Sequence, residues 1–124
     1  MKRAVIYSRV DPKDRAVMPA RKAAAEALCR ENGWEFVHYT DSASGNRPPM
    51  QFATGNQLIR PQLTRLLSAI DAGGVIAVIP STADALATTA ELTRKLDEFF
   101  EQRHFSSRER EEEPSTYYVL EHSE

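Results

Sequence analysis

The chain has a single cysteine, Cys29, so no disulfide can close within it. Cys29 falls inside the helical run 21–31 and reads as a small helix residue rather than a reactive thiol. No uninterrupted apolar stretch reaches the roughly 18 residues of a membrane span. The basic Lys2-Arg3 start is followed by too short a hydrophobic segment for a signal peptide. These absences lead to the expectation of a cytoplasmic protein with no membrane partner. Neither charge sign dominates, since 16 Lys and Arg stand against 18 Asp and Glu for a formal net charge of -2, and the pI is about 5.9. A chain with that balance carries no polyelectrolyte footprint for DNA. The three histidines, His38, His104 and His122, share no metal-ligand spacing with each other or with Cys29, so no metal site is expected and the histidines read as surface or loop residues. Gly73-Gly74 precedes a strand rather than a helix and makes no phosphate-cradling loop, so no cofactor is expected. There is no internal repeat, and 124 residues leave room for one domain around one core.

What is present alternates strand and helix, which predicts an α/β fold: a three-layer single domain with a mostly parallel central sheet of about four strands. Ala4–Tyr7 is a continuous apolar run of the kind that fills a central strand covered on both faces. Met18–Glu31 places Ala20, Ala24, Ala27 and Leu28 at helical spacing, with Asn32-Gly33 as its exit. Trp34–Tyr39 reads as a second strand. Asp41–Ile59, with Gly45, Pro48, Pro49 and Gly55, has no sustained period and reads as a long loop. Pro61 then opens a helix whose Leu63, Leu66, Leu67 and Ile70 form one apolar stripe, stopped by Gly73-Gly74. Val75–Ile79 is a third buried strand. The spacing Ser81-Thr82-Ala83-Asp84 resembles a capping box and predicts a helix from there to about Phe100. The domain is expected to span 1–102, and 103–124 to be a charged loop or disordered tail with one short edge strand at 116–120.

Three segments in order carry a resemblance to a known family. Tyr7-Ser8-Arg9-Val10 closes the first strand, Thr40-Asp41-Ser42-Ala43-Ser44-Gly45 follows the second, and Arg60-Pro61-Gln62-Leu63-Thr64-Arg65-Leu66-Leu67 opens the leucine-striped helix. Together they resemble the catalytic domain of the serine recombinases (resolvases and invertases), over the chain from its first strand to about Phe100. Arg47-Pro48 offers a second Arg-Pro, but only Arg60 leads into the leucine stripe. The resemblance implies a resolvase-like fold and the activity of DNA strand exchange in DNA recombination. It also implies that Arg9, Asp41 and Arg60 match active-site positions, with Arg60 at the place of an arginine that contacts the scissile phosphate.

Departures from the family pattern fall where the chemistry would be. The nucleophilic serine that follows Arg-Val in the family is replaced by Asp11. The two arginines that the family places after its third strand correspond to Ala83 and Leu86, and the glutamine of its first helix to about Ala20. The family's long oligomerisation helix and its DNA-reading module have no counterpart after Phe100. Attack on a phosphodiester builds negative charge that enzymes offset with preorganised cations, and an arginine finger is worth about 10³–10⁵ in rate. Asp11 is a poor substitute, because a carboxylate about 4 Å from a phosphate is repelled by roughly 1–4 kcal/mol at effective dielectrics of 80 to 20. Strand alternation puts Tyr7, Arg9 and Asp11 on one face and Ser8 and Val10 on the other, so Ser8 does not replace the nucleophile.

The resulting expectation is a pseudoenzyme. No catalytic residue is expected to be intact, and Arg9, Asp11 and Arg60 are expected to cluster by charge pairing at the carboxyl end of the central strand. Either a residual anion site remains there, or Arg9 and Arg60 are structural cations that neutralise Asp11 and Asp41. The expected role is regulatory or structural, through a protein partner or self-association, with DNA binding weak or absent. The rival readings are an active site-specific recombinase with a rebuilt site, and a small-ligand-binding α/β module of the kind that places ligands at the carboxyl ends of its strands.

Overall fold

A computed structural model describes residues 2–121. The first strand, β1 (Arg3–Arg9), is buried along nearly its whole length. It pairs in parallel with β2 (Phe36–Asp41) on one side and β3 (Val75–Pro80) on the other. Alternation along β1 divides the core in two. Ala4 and Ile6 pack with Ala25, Leu28 and Cys29 of helix α1 (Met18–Glu31). Val5 and Tyr7 face the leucines of α2 (Pro61–Asp71) and the Leu92, Leu96, Phe99 and Phe100 stripe of α3 (Ala90–Gln102). The result is three layers, with α1 on one side of the sheet and α2 and α3 on the other.

The sheet has five strands in the order β2-β1-β3-β5-β4, where β4 is Phe105–Glu109 and β5 is Thr116–Leu120. The parallel core is therefore extended by an antiparallel hairpin, with β5 inside against β3 and β4 outermost. This corrects the expectation of about four strands and of a loop directly after residue 103; the strand expected at 116–120 is present with those bounds but lies inside the sheet rather than at its edge. Phe105 anchors β4 in the core, while its serines and charged residues lie on an exposed outermost strand. Polar composition there reflects solvation of an edge rather than lack of structure. The Glu-rich stretch of the sequence forms the turn of the hairpin, closed by Arg110 N–H donating to the Ser115 carbonyl at 2.8 Å.

Two further boundaries move. The second strand starts at Phe36 rather than Trp34, because Trp34 N–H is spent on the Cys29 carbonyl at the exit of α1. Gly33 supports that exit with a left-handed φ of 71°. The third expected helix is also shorter: Ser81–Thr88 is loop, and α3 begins at Ala90 with Thr89 as its cap, the Thr89 hydroxyl accepting from Leu92 N–H at 3.2 Å. The Asp84 carboxylate that looked like part of a capping box is engaged by Lys13 and Arg9 instead. The long loop 41–59 is tied to α2: the Thr64 hydroxyl accepts from Met50 N–H at 2.8 Å, and the Pro48 carbonyl from Arg60 N–H at 3.2 Å. No described helix is long and apolar enough to cross a membrane.

Candidate functional site

The carboxyl ends of β1 and β2 and the loop after β3 bring all four family-matched positions to one end of the sheet, but into two separate polar clusters. The first is built on Arg60, whose side chain is fully buried. Its Nη2 and Nε donate to the Tyr7 hydroxyl at 2.8 and 3.2 Å, and its Nη1 and Nη2 also donate to the carbonyls of Leu86 and Ala85. Tyr7 in turn donates to Asp41 Oδ2 at 2.7 Å. The same carboxylate accepts from the backbone N–H groups of Gln62 and Leu63 at 2.9 and 2.8 Å. Asp41 thus caps α2 from a neighbouring strand, the carboxylate meeting the positive end of the helix. Burial pushes the Tyr7 hydroxyl far above the ordinary tyrosine range against the opposing Arg60 charge, so Tyr7 stays a neutral relay between cation and carboxylate.

The second cluster is built on Arg9, also buried. Its Nη1 meets Asp11 Oδ2 at 3.3 Å, and its Nη2 meets Asp84 Oδ2 at 3.5 Å and the Asp84 carbonyl at 3.4 Å. Lys13 Nζ reaches Asp84 Oδ2 at 3.2 Å. Burial raises the Asp84 carboxyl, but the Lys13 hydrogen bond and the Lys13 and Arg9 charges outweigh it and hold the group below the ordinary carboxylate range. Asp11 Oδ1 accepts from Lys13 N–H at 3.1 Å, capping the short turn Pro12–Asp14. The Ser-Gly of the second motif covers this cluster. A Cβ built on Gly45 would lie 3.0 Å from Arg9 Cζ and 2.5 Å from Thr88 Cγ2. Replacing Gly45 with alanine is therefore expected to cost about 1–3 kcal/mol, as overpacking does. The measurement is the urea midpoint, and an unchanged midpoint would show that the loop does not press on Arg9.

Of the expected cluster, Asp11 joins Arg9, while the hydrogen-bond partners of the Arg60 guanidinium are Tyr7, Ala85 and Leu86. The difference arises because Arg60 is the residue before the first turn of α2 and points into the core, whereas Asp11 caps a turn at the surface. Ser8 is completely buried and its hydroxyl has no hydrogen-bond partner in the protein; its place in the alternation puts it on the α1 face with Ala4 and Ile6. Of the two positions matched to family arginines, Ala83 is exposed and the Leu86 side chain is in the core. The site expected from the sequence lacks Tyr7, Lys13 and Asp84. Strand alternation points to Tyr7, two positions before Arg9 and on the same strand face; nothing local in the sequence announces Lys13.

Elsewhere, His38 Nε2 lies 2.6 Å from Glu26 Oε2, His104 follows α3 with a left-handed φ of 67°, and His122 lies outside the described residues. Among the described residues no group of His, Cys, Asp and Glu is arranged to hold a metal. Burial, with the Glu26 charge, pushes the Cys29 thiol up to about 11, the opposite of an activated nucleophile. The fold is a single-domain α/β architecture with a five-stranded mixed sheet. No family model matches the chain, and no curated protein matches it.

Proposed function

We propose that the chain is a degenerate relative of the serine recombinase catalytic domain that does not cleave DNA and acts by contact with another recombinase-fold subunit, a second copy of itself included. The family part of this reading rests on the three matched segments. The non-cleaving part rests on one observation: the cations at the carboxyl end of the sheet already have protein acceptors. Arg60 is shared among the Tyr7 hydroxyl and two carbonyls, and Arg9 and Lys13 are paired with Asp11 and Asp84. A phosphate entering this site would have to displace carboxylates that are covalently part of the chain, with Asp11 and Asp84 repelling it as it approached. The carboxylates occupy the electrostatic role that the DNA backbone would take in an active enzyme.

Affinity for DNA comes largely from counterions released by clustered cations. Several of the other basic residues are paired with acids, as in the i,i+4 pairs Arg94–Glu98 and Lys95–Glu91 and the Arg110–Glu112 pair. In a gel-shift titration at about 150 mM salt, duplex DNA is expected to bind no better than to a generic acidic protein. Submicromolar, salt-sensitive binding would return the chain to the DNA-acting class. Light scattering of the chain alone, and after mixing with an intact recombinase, tests the partner class. A species of summed mass is expected in one of the two samples, and monomers in both would overturn the partner assignment.

A further inference from the structure

Beside the two clusters, a cavity of about 180 Å³ opens between α3, the loop after β3 and the turn leading into β5. Its walls mix the apolar Leu86, Ala87, Leu96 and Tyr118 with Thr82 and Thr93, and the exposed Asp97 stands among them. We propose that this cavity is a binding site for a small organic cation, a primary ammonium carried on an apolar body of about benzene size, with the Asp97 carboxylate receiving the charge.

Size, lining and charge each narrow the ligand. A cavity of about 150 Å³ with apolar walls holds a benzene-sized group, so the body of the ligand is a single ring or a short branched chain. Tyr118 supplies one wall and is fixed by stacking on Phe100 with ring centroids 4.5 Å apart. Burial and then the Asp97 charge push its hydroxyl up to about 12, so the phenol stays neutral and adds no second negative charge beside Asp97. Asp97 and Glu101 are the two acids of α3 without an ion pair, and of these Asp97 lines the cavity. Arg94 is engaged by Glu98 at 3.2 Å and Lys95 by Glu91 at 3.9 Å. The Asp97 carboxyl is held above its ordinary range by partial burial and by the neighbouring Glu101 charge, with no cation acting on it in the opposite direction. An incoming ammonium offsets the Glu101 repulsion and compensates the carboxylate for its lost solvation, whereas an anion would add a third like charge. A neutral ligand would fill the walls and leave the carboxylate as it was.

The cavity also touches the machinery described above through Leu86, whose side chain lines it while its carbonyl accepts from Arg60. A bound ligand would therefore press on the Ser81–Leu86 loop that holds Arg60 in place. This site does not depend on the recombinase reading and stands if that reading fails.

The test is an NMR titration of the full chain with benzylammonium chloride, using benzyl alcohol as the neutral counterpart of the same shape and benzoate as the anion. Saturable shifts at Leu86, Leu96 and Tyr118 are expected with benzylammonium. Benzyl alcohol should bind about tenfold or more weaker, as expected for loss of a charge-assisted hydrogen bond, and benzoate weaker still. Asp97→Asn should reduce the benzylammonium affinity by a similar factor. It should not unfold the protein, since a carboxyl whose folded-state pKa is raised costs stability at neutral pH. Ala87→Leu, which fills the cavity, should abolish the shifts. Equal binding of the alcohol and the ammonium, indifference to Asp97→Asn, or no saturable shift at the lining residues would each overturn the assignment.

Discussion

Replacing Arg60 with methionine is expected to destabilise the protein by about 3–5 kcal/mol, the usual cost of removing one partner from a buried charged network. Methionine roughly fills the volume, so the loss is not chiefly a cavity effect. Two inward-turned carbonyls, of Ala85 and Leu86, lose their donor. The Tyr7 hydroxyl and, through it, the Asp41 carboxylate lose their cation. For a chain of this size the corresponding fall in Tm is about 10–20 °C. Arg60→Lys should recover only part of it, because an ammonium lacks the planar fork that reaches several acceptors at once. Urea denaturation of both variants measures the effect. A methionine variant within about 0.5 kcal/mol of wild type, inside the range of an ordinary surface change, would show that Arg60 is not the keystone of this end of the sheet.

Asp41→Ala carries the second largest expected effect, about 3 kcal/mol. It combines the loss of a helix cap, about 0.5–2 kcal/mol, with the loss of the charge-assisted hydrogen bond from Tyr7, about 1.5–3 kcal/mol. The Gln62 and Leu63 N–H groups and the Tyr7 hydroxyl all lose their acceptor. Asp41→Asn keeps one oxygen acceptor and should cost less. Because Asp41 and Arg60 act on one another through Tyr7, the double variant should be less destabilised than the two single losses added together, with a coupling of about 1 kcal/mol or more. Strict additivity in the urea midpoints would mean that the two charges stabilise the fold separately.

The contrast between what the sequence disclosed and what it concealed follows from the range of the interactions involved. The α1 boundaries at Met18 and Glu31 and the start of α2 at Pro61 follow from periodicity, proline and glycine signals that act within a few residues. The start of α3 does not, because the fate of Ser81–Thr88 is decided by Arg60, some 20 residues earlier in the chain, drawing the Ala85 and Leu86 carbonyls inward. Strand β4 was hidden for a related reason. Its Ser, Arg and Glu residues suit an outermost strand, but only the pairing with β5 makes one of them. At the site, alternation correctly places Tyr7 and Arg9 on one face, yet it says nothing of how far a long side chain reaches. The guanidinium of Arg60 therefore finds Tyr7 rather than Asp11. Paired charges from distant segments, such as Lys13 with Asp84, leave no local trace at all.

The reading of the chain as a non-cleaving recombinase-like domain is tested most directly by incubating supercoiled plasmid with the wild-type protein and with Asp11→Ser, side by side, and scoring nicked circles and protein–DNA adducts. Asp11→Ser restores the hydroxyl at the position where the family has its nucleophile. It also removes one carboxylate from Arg9 and leaves the other, Asp84, in place. The positions matched to the family's two further arginines remain Ala83 and Leu86, and each missing charge stabiliser costs on the order of 10²–10³ in rate. Groups that act as a unit are not restored one at a time. Neither protein is expected to nick the plasmid or to remain attached to it. Nicked circles carrying a covalent 5′-phosphoserine linkage at position 11 of the variant, or any adduct with the wild type, would contradict the reading and show that Arg9 and Arg60 can leave their carboxylate and carbonyl partners for a phosphate.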